Sequence, residues 1–451
     1  MVVPELDRAL GLEVYATDTA GIDGSIRNSV DDFVVEEVLV DGSVARIKKG
    51  TDSNALNAKS ERQRYLLCIL VKRNWDTFVA LKKIADQIGV NQMRIQIAGI
   101  KDAKAFTGQY ITIENVVMED LQKIQIRDVE VRPVGYFRDA LSPFYLLGNR
   151  FAITICKVEE REDVVTEQIR KTMQQLKQGG GIPNFFGHQR FGTTRPITHL
   201  VGKAIVNGDF EMAVMLFLAK PSSFEHPESR QARIELETTG DFGRALQSFP
   251  KQLRFERLML RELAKKPNDF VGAFKRLPFK LQMLFVQAYQ SYLFNLFLSK
   301  RIIRGVPLGT AEIGDFVVSG ERSGLPMPKT GKLVTSGSIE EVNEKMKLGK
   351  LSVALPLVGF RNNLSQGAMG EIEKQILELE NLETSCFRIG EIPRISERGG
   401  LRTVLSPVMD YSFEALGQRK VELRFMLLRG SYATMLLREI MKPDDPIAAG
   451  F

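Results

Sequence analysis

Hydrophobic and polar positions first form a clear pattern over residues 64–113. The run RYLLCILVKR predicts a strand, DTFVALKKIADQIG predicts a helix capped by Asp76 or Thr77, and MRIQIAGI predicts a second strand. This order is typical of a βαβ unit. The loop KDAKAFTG then leads to a further β run, QYITI. Lys101 and Asp102 therefore lie at the exit of a strand, where side chains are displayed on a rigid edge.

The pattern changes near residue 200. Before it, RFAITICKV predicts a strand, and a helix from about Glu162 to Lys177 ends at three glycines, 179–181. After it, long helical patterns such as KQLRFERLMLRELAKK and KLQMLFVQAYQSYLFNLFLSKR alternate with proline-containing breaks. Short β runs and an acidic helix around Met369 to Leu382 follow, and VELRFMLLRGSYATMLLREIM predicts a closing strand, turn and helix. We expect a second domain to begin near residue 200.

Composition and charge narrow the class of protein. The chain has 451 residues, of which 44% are hydrophobic and 26% are charged. This suffices for about two or three domains with real cores and excludes overall disorder, a collagen helix or a coiled coil. The net charge is +7, and residues 251–300 hold 10 basic and 3 acidic side chains. The charge permits a polyanionic partner without demanding one.

The cysteine content and the hydropathy of the sequence indicate the cellular compartment in which the protein functions. Cys68, Cys156 and Cys386 are too few for a disulfide framework and too far apart for a zinc knuckle. No long apolar segment opens the sequence, and no stretch approaches the ~20 apolar residues of a membrane span. We expect a protein of the reducing cytoplasm without membrane association.

The usual cofactor and metal motifs are missing from the sequence. The glycines at 179–181 follow a helix rather than opening one, so they do not form a P-loop. No G-x-S-x-G elbow occurs, and His188, His199 and His226 lack the spacing of metal ligands. We expect neither a cofactor nor a metal, so any catalysis would rest on carboxylates, bases and shape.

Asp102 is the first candidate for chemistry. It directly follows Lys101, and a neighbouring ammonium favours an ionised carboxylate. Such an aspartate on a rigid loop can act as a nucleophile or a base. The alternative is a solvated Lys-Asp pair in an exposed turn. A hydrolase would need a second carboxylate or a metal beside Asp102, and the loop KDAKAFTG supplies neither.

The segment FFGHQRFG is the second candidate. Its phenylalanines interleave with His188, Gln189 and Arg190, and two glycines interrupt them. Aromatic faces beside arginine and amide groups suit a pocket for an unstacked base. The alternative is an aromatic-rich turn that fills the seam between two domains.

A basic stripe is the third candidate. Arg254, Arg257, Arg261 and Lys265 are spaced by three, four and four residues, which places four cations along one helical face. The stripe suits a phosphate backbone, with a solvated helix face as the alternative.

Three segments together resemble one family. AGIKDAKAFTGQ, PNFFGHQRFG and RGSYATMLLREIM are similar to motifs of the TruD family of tRNA pseudouridine synthases. DDFVVEE, QAYQSYLFN and ALPLVG fall in that family's order, so the resemblance extends over nearly the whole chain. The chain has a longer insertion than the bacterial branch of the family. This insertion and the sequences of the two chain ends are closer to the archaeal and eukaryotic branch.

The resemblance implies an activity and residue roles. The family converts a uridine of tRNA to pseudouridine by breaking the bond from N1 to the ribose and re-forming it at C5, without redox change. Asp102 would be the catalytic carboxylate, Phe186 would stack on the flipped base, and Asn184 would position both. Whether Asp102 adds to the ribose, adds to the base or removes a ribose proton stays open. The other substrate-binding residues implied are Lys101, which keeps the site electropositive, Arg27, Gln189 and Arg190.

Some residues depart from the family's pattern. Arg27 precedes NSVDDF where a lysine is usual, and arginine keeps the charge but does not readily lend a proton. Val30 replaces a proline, and Phe185 replaces a common tyrosine. Gly108 is smaller than the usual residue, so we expect it to loosen the catalytic loop.

The family's architecture implies an α+β fold. Residues 1–197 and 398–451 would form a pseudouridine synthase catalytic domain around a mixed or antiparallel sheet, and the inserted residues 198–397 would form a second α+β domain. A V-shaped cleft between them would hold tRNA, with uridine 13 as the expected target and no protein partner implied. The alternative function is a non-catalytic RNA-binding or RNA-folding protein that shares the cleft.

Overall fold

The computed structural model describes residues 2–48, 55–321 and 323–451 of the chain. Its strands are β1 (Phe33–Leu39), β2 (Tyr65–Arg73), β3 (Ile95–Ile97), β4 (Phe106–Glu114), β5 (Val129–Phe137), β6 (Leu146–Ile155), β7 (Ile182–Pro183), β8 (Phe316–Gly320), β9 (Pro326–Leu333), β10 (Leu351–Leu357), β11 (Gly400–Thr403), β12 (Leu405–Ser406), β13 (Met409–Gly417) and β14 (Lys420–Leu428). Its α-helices are α1 (Glu5–Ala9), α2 (Thr77–Ile88), α3 (Glu162–Gln178), α4 (Thr198–Val206), α5 (Phe210–Ala219), α6 (Pro227–Thr239), α7 (Phe242–Ser248), α8 (Arg254–Leu263), α9 (Phe270–Lys275), α10 (Phe279–Ile303), α11 (Ile339–Lys347), α12 (Gly367–Leu379) and α13 (Ala433–Met441).

A mixed sheet of eight strands is the framework of the first and last parts of the chain. Its order is β13-β14-β6-β1-β4-β2-β5, and β3 pairs with β4 beside this path. β1 and β4 run parallel, whereas the other neighbours in this sheet run antiparallel. Together with the many helices, this sheet confirms the predicted α+β fold class.

The predicted unit at residues 64–113 is present. Asp76 caps α2, because its carboxylate accepts a hydrogen bond of 3.0 Å from the Val79 amide. β2 and β3 both run antiparallel to β4 and so run parallel to each other, as in a βαβ unit. They are not neighbours, because Thr112 of β4 pairs with Leu67 on one side and with Gln96 on the other.

Helices and a second, antiparallel sheet form the middle of the chain. The sheet has the order β11-β10-β8-β9, and the 25-residue helix α10 packs against α4, α12 and β10. One hydrophobic cluster continues from Phe33 of the first sheet through Phe294 of α10 to Leu355 of the second. β11 belongs to the second sheet although it follows residue 398, and the domain boundaries stay a prediction. Within the described ranges, no helix is both long and apolar enough to cross a membrane.

The two ends of the chain meet beside α10 and α13. The Ser299 hydroxyl of α10 donates a hydrogen bond of 2.6 Å to the Gly11 carbonyl oxygen. The amides of Ile22 and Asp23 donate to the carbonyl oxygens of Ile440 and Met441 at 3.1 and 2.9 Å. The segment that leads to Arg27 is therefore held against the last helix.

Gly108 is required by a close crossing of two chain segments. A Cβ atom at this position would lie 2.1 Å from the carbonyl oxygen of Ala45. The missing side chain lets the segment at Ala45 pack directly on β4. The expectation that Gly108 loosens the loop before β4 stays a prediction.

His199 of α4 is a buried neutral imidazole. Its ring stacks on Tyr292 at 5.1 Å and meets Phe191 edge-on at 5.2 Å. Burial lowers its pKa to about 4, although a hydrogen bond with the backbone of Ala9 acts in the opposite direction. Protonation of this ring would place a charge inside the packed helices.

We expect His199 to couple stability to pH. The unfolded imidazole titrates near 6.5 and the folded one near 4, so the unfolded state binds more protons between these values. The residue should lower the free energy of unfolding by about 3 kcal/mol as the pH falls from about 7 to about 4. Urea unfolding at both pH values should show a smaller loss for His199→Phe than for the wild type. Equal losses would contradict this assignment.

Candidate active site

The loop between β3 and β4 carries Asp102, and a buried lysine of the neighbouring strand β2 binds its backbone from the interior of the protein. Lys72 of β2 is fully buried, and its Nζ donates hydrogen bonds of 2.8 Å to the carbonyl oxygens of Trp75 and Asp102. The Thr77 hydroxyl at the start of α2 donates to the Lys101 carbonyl oxygen at 3.1 Å. Burial lowers the pKa of Lys72 to about 8, against the opposing effect of Asp102 and Asp76. The backbone at Asp102 is therefore fixed by the sheet and by α2.

Lys101 points into the protein rather than toward the Asp102 carboxylate. Its Nζ lies 2.6 Å from Oε1 of Glu37, and the two side chains are 4% and 0% exposed. The second oxygen of Glu37 accepts a hydrogen bond of 2.8 Å from the Tyr110 amide. The pair joins the loop that carries Asp102 to β1 and β4.

Arg27 supplies the cation that contacts Asp102. Its Nη2 lies 3.1 Å from Oδ2 of Asp102, and Nη1 donates a hydrogen bond of 2.8 Å to the Gly450 carbonyl oxygen. The guanidinium carbon also lies 4.2 Å from the centre of the Phe33 ring. Arg27 has a φ of +60°, a conformation that is uncommon outside glycine. These contacts fix the guanidinium beside a carboxylate that is 38% exposed.

A cavity of about 260 Å³ opens over this carboxylate. Besides Arg27 and Asp102, its walls include Phe33 and Asn149 of the first sheet, Gln189 of the FFGHQRFG segment, and Tyr432 of the turn before α13. The site thus combines one carboxylate, one guanidinium, amides and aromatic rings. A second cavity of about 740 Å³ shares Arg27, Asp102 and Gln189 with the first.

Phe186 lies behind the wall of the 260 Å³ cavity. Its side chain is buried, and it meets Tyr432 edge-on at 6.1 Å. The guanidinium carbon of Arg402 lies 4.1 Å from the centre of its ring. Among the described residues, Tyr432 rather than Phe186 lines the cavity.

Asn184 is occupied by contacts within the protein. Its Nδ2 donates to the carbonyl oxygen and the hydroxyl of Thr403, both at 3.1 Å, and its Oδ1 accepts from Arg402 at 2.6 Å. Asn184 lines a third cavity of about 450 Å³, which shares Gly430 and Ser431 with the cavity over Asp102. The two regions are adjacent, and Asn184 shows no contact with Asp102.

The remaining residues of FFGHQRFG divide between packing and the site. Gln189 is exposed and lines both cavities beside Asp102. Arg190 instead donates from Nε to the Ser291 hydroxyl of α10 at 3.0 Å, and burial lowers its pKa. His188 is buried with Nε2 at 2.6 Å from Asp7, whose other oxygen accepts from Arg438. The segment therefore both fills a seam and offers one amide to the site.

Only part of the basic stripe lies on a helix. Helix α8 ends at Leu263, so the prediction that Lys265 lies on that face was wrong. Arg257 donates hydrogen bonds of 2.8 and 2.7 Å to the carbonyl oxygens of Leu246 and Phe249 and so closes the end of α7. Arg254, Arg261 and Lys265 are exposed, and all three remain candidates for a phosphate contact.

Several residues of the site were not predicted from the sequence. A signal existed for Lys72, which is a cation in an apolar strand, and for Glu37, which occupies an inward position in the alternating pattern of FVVEEVL. No local signal marks Gly450, because only the fold brings its carbonyl oxygen to Arg27. Across the described ranges, no three or more His, Cys, Asp or Glu residues are grouped so as to hold a metal ion.

Replacing Lys101 tests its structural role. In Lys101→Met the Glu37 carboxylate stays buried without its cation, so we expect the free energy of unfolding to fall by about 3–5 kcal/mol. The double variant with Glu37→Gln should recover part of the loss, because the buried charge is then gone. Urea unfolding measures both. Unchanged stability of Lys101→Met with weaker RNA binding would instead show that Lys101 acts on a substrate.

Comparison with known proteins identifies relatives over the full length. A family model described as tRNA pseudouridine synthase D (TruD) matches residues 9–440. A Methanosarcina mazei protein named "Probable tRNA pseudouridine synthase D" is 37% identical over 448 residues, which are 98% of each chain. A Thermococcus onnurineus protein of the same name is 38% identical over 430 residues, covering 95% of this chain and 97% of that one.

A solved structure shares the fold. The crystal structure of a Methanosarcina mazei protein titled "Putative tRNA pseudouridine synthase D (TruD)" matches with a TM-score of 0.83 and 37% sequence identity. The match covers 98% of this chain and 99% of that chain. The resemblance that the three motifs indicated is confirmed.

Proposed function

This chain belongs to the TruD family of tRNA pseudouridine synthases, and from that premise we propose that it isomerises a uridine of tRNA with Asp102 as the catalytic carboxylate. One observation carries the proposal. Among the described residues that line the 260 Å³ cavity, Asp102 is the one carboxylate, and it is partly exposed on a loop held by buried groups. A target uridine flipped out of the RNA would bring its glycosidic bond to this carboxylate.

Arg27 has a positioning role in this proposal. Its guanidinium orients the Asp102 carboxylate through the 3.1 Å contact and is itself held by Gly450 and Phe33. The isomerisation moves the ribose from N1 to C5, so C5 loses a proton and N1 gains one. Arginine does not exchange protons readily, so proton transfer falls to Asp102 or to water.

Aromatic and amide groups would receive the base. Tyr432 and Phe33 line the cavity and supply ring faces and edges, while Gln189 and Asn149 supply amide groups. In this arrangement Phe186 and Asn184 shape the site through Tyr432 and Arg402 instead of touching the base. A base that stacked on the face of the Phe186 ring covered by Arg402 would have to displace that guanidinium.

Uridine 13 of tRNA is the target position that we propose, together with a cytoplasmic location. The location is supported by Cys68, Cys156 and Cys386, which are free thiols. Arg254, Arg261 and Lys265 are the exposed cations of the original stripe and remain candidates for the RNA backbone. Mapping pseudouridine in a tRNA transcript that lacks uridine 13 tests the position, because undiminished modification elsewhere would contradict it.

Asp102→Asn is the central test of the activity. The amide keeps the size of the side chain but neither attacks a sugar nor takes a proton, so pseudouridine formation should fall below detection. RNA affinity should stay within about twofold of wild type, because replacing a carboxylate by a neutral amide removes no cation that contacts a phosphate. Pseudouridine is measured on an unmodified tRNA transcript, with RNA binding in parallel. If wild type and variant both bind RNA and neither forms product, the non-catalytic binding protein is supported instead.

Arg27→Met tests the positioning role. Loss of the charge-assisted contact to Asp102 should lower kcat by about 10- to 100-fold, with KM little changed. Arg27→Lys should recover part of kcat, because an ammonium can still reach the carboxylate from the same backbone. Rates of pseudouridine formation measured from low to saturating RNA concentrations give both kcat and KM. A rise in KM alone would assign Arg27 to RNA binding rather than to Asp102.

A further inference from the structure

The target uridine does not account for the 740 Å³ cavity beside Asp102. It shares Arg27, Asp102 and Gln189 with the smaller cavity over the carboxylate, so the two are neighbours. Its volume lies within the range of pockets that bind small ligands. A single flipped base over Asp102 would leave this larger space unfilled.

The first wall of the cavity is the segment that ends in Phe451. Its Ala449 carbonyl oxygen accepts a hydrogen bond of 2.9 Å from the Ile26 amide, next to the contact between Gly450 and Arg27. Gly450 has a φ of +91°, and a Cβ atom there would lie 2.5 Å from the Ile26 carbonyl oxygen. The wall is therefore tied directly to the residue that orients Asp102.

The second wall presents an exposed aromatic ring. Phe224 is 49% exposed although it belongs to an ordered turn between α5 and α6. The Ser222 hydroxyl accepts from the Phe224 amide at 3.2 Å and donates to the Thr194 carbonyl oxygen at 2.7 Å. This holds the turn against Thr194, two residues after the FFGHQRFG segment. An exposed ring held in place at the edge of a cavity suits stacking on a planar ligand.

Lys104 adds a cation to the same cavity. It follows Asp102 by two residues in the catalytic loop and is exposed on the cavity wall. A ring for stacking and a cation for a phosphate are the two groups with which proteins follow single-stranded nucleic acid. The strand that delivers a flipped uridine necessarily carries a neighbouring nucleotide on each side.

We propose that this cavity is the subsite for one nucleotide adjoining the target uridine, with Phe224 stacked on its base and Lys104 contacting its phosphate. The subsite rests on the proposed function for its substrate, an RNA strand. It assigns recognition of a second nucleotide to Phe224, in the turn between α5 and α6, and to Lys104, two residues after Asp102. Discrimination between RNAs would then depend partly on the neighbour of the uridine.

Phe224→Ala, Phe224→Trp and the control Phe279→Ala test the subsite. Phe279 is 42% exposed at the start of α10 and lines neither cavity beside Asp102. On an unmodified tRNA transcript, Phe224→Ala should raise KM and the RNA dissociation constant about tenfold with kcat unchanged, since one stacking contact is lost. Phe224→Trp and Phe279→Ala should stay within about twofold of wild type.

Transcripts with an abasic nucleotide immediately before or after the target uridine locate the stacked base. The wild type should bind one of these two RNAs about tenfold more weakly than intact RNA. Phe224→Ala should bind that same abasic RNA with the affinity of the wild type, because the stacked base is already missing. An effect of Phe224→Ala below twofold on intact RNA, or an undiminished effect on both abasic RNAs, would overturn the subsite.

The affinities keep this test separate from the proposed function. A wild type that forms no pseudouridine would overturn the activity. The same RNA affinities would still show whether Phe224 contacts a base.

Discussion

Two buried ammonium groups hold the loop on which the site depends. Burying a charge is costly unless it is paired or hydrogen-bonded, and here both conditions are met. Lys72 is satisfied by the carbonyl oxygens of Trp75 and Asp102, and Lys101 is satisfied by Glu37. Because the backbone is tied down from the protein side, the Asp102 carboxylate can stay partly exposed and still keep a defined direction. A rigid support of this kind is what an active-site carboxylate requires.

The other walls of the site come from distant parts of the chain. Arg27 is hydrogen-bonded to Asp102, which is 75 residues away in the sequence, and to Gly450, which is 423 residues away. Buried polar contacts hold these segments together beneath the site. Asn295 of α10 donates to the carbonyl oxygens of Leu10 and Phe186, and it accepts a hydrogen bond from the Phe186 amide. The N-terminal segment, the FFGHQRFG segment and α10 are therefore positioned as a unit around Asp102.

Local patterns predicted much of the fold and part of the site. The strand β2, the cap at Asp76 and the helix α10 follow from hydrophobic spacing and capping chemistry, which act over a few residues. Asp102 and Gln189 were singled out from motifs, and both line the two cavities at this site. The partners of charged groups were not predictable in this way. Arg257 illustrates this, because it was grouped with phosphate-binding cations but is bonded to the end of α7.

The sequence by itself determined the family, the α+β class, the positions of the long elements and the candidate carboxylate. These depend on residue order and on short-range periodicity, which the sequence displays directly. Only the tertiary structure decided that Arg27, rather than Lys101, contacts Asp102 and that Tyr432 covers Phe186 at the cavity. The reason is physical: a side chain of several rotatable bonds pairs with whichever group the folded chain brings within about 3–4 Å, and that distance is set by packing between remote segments.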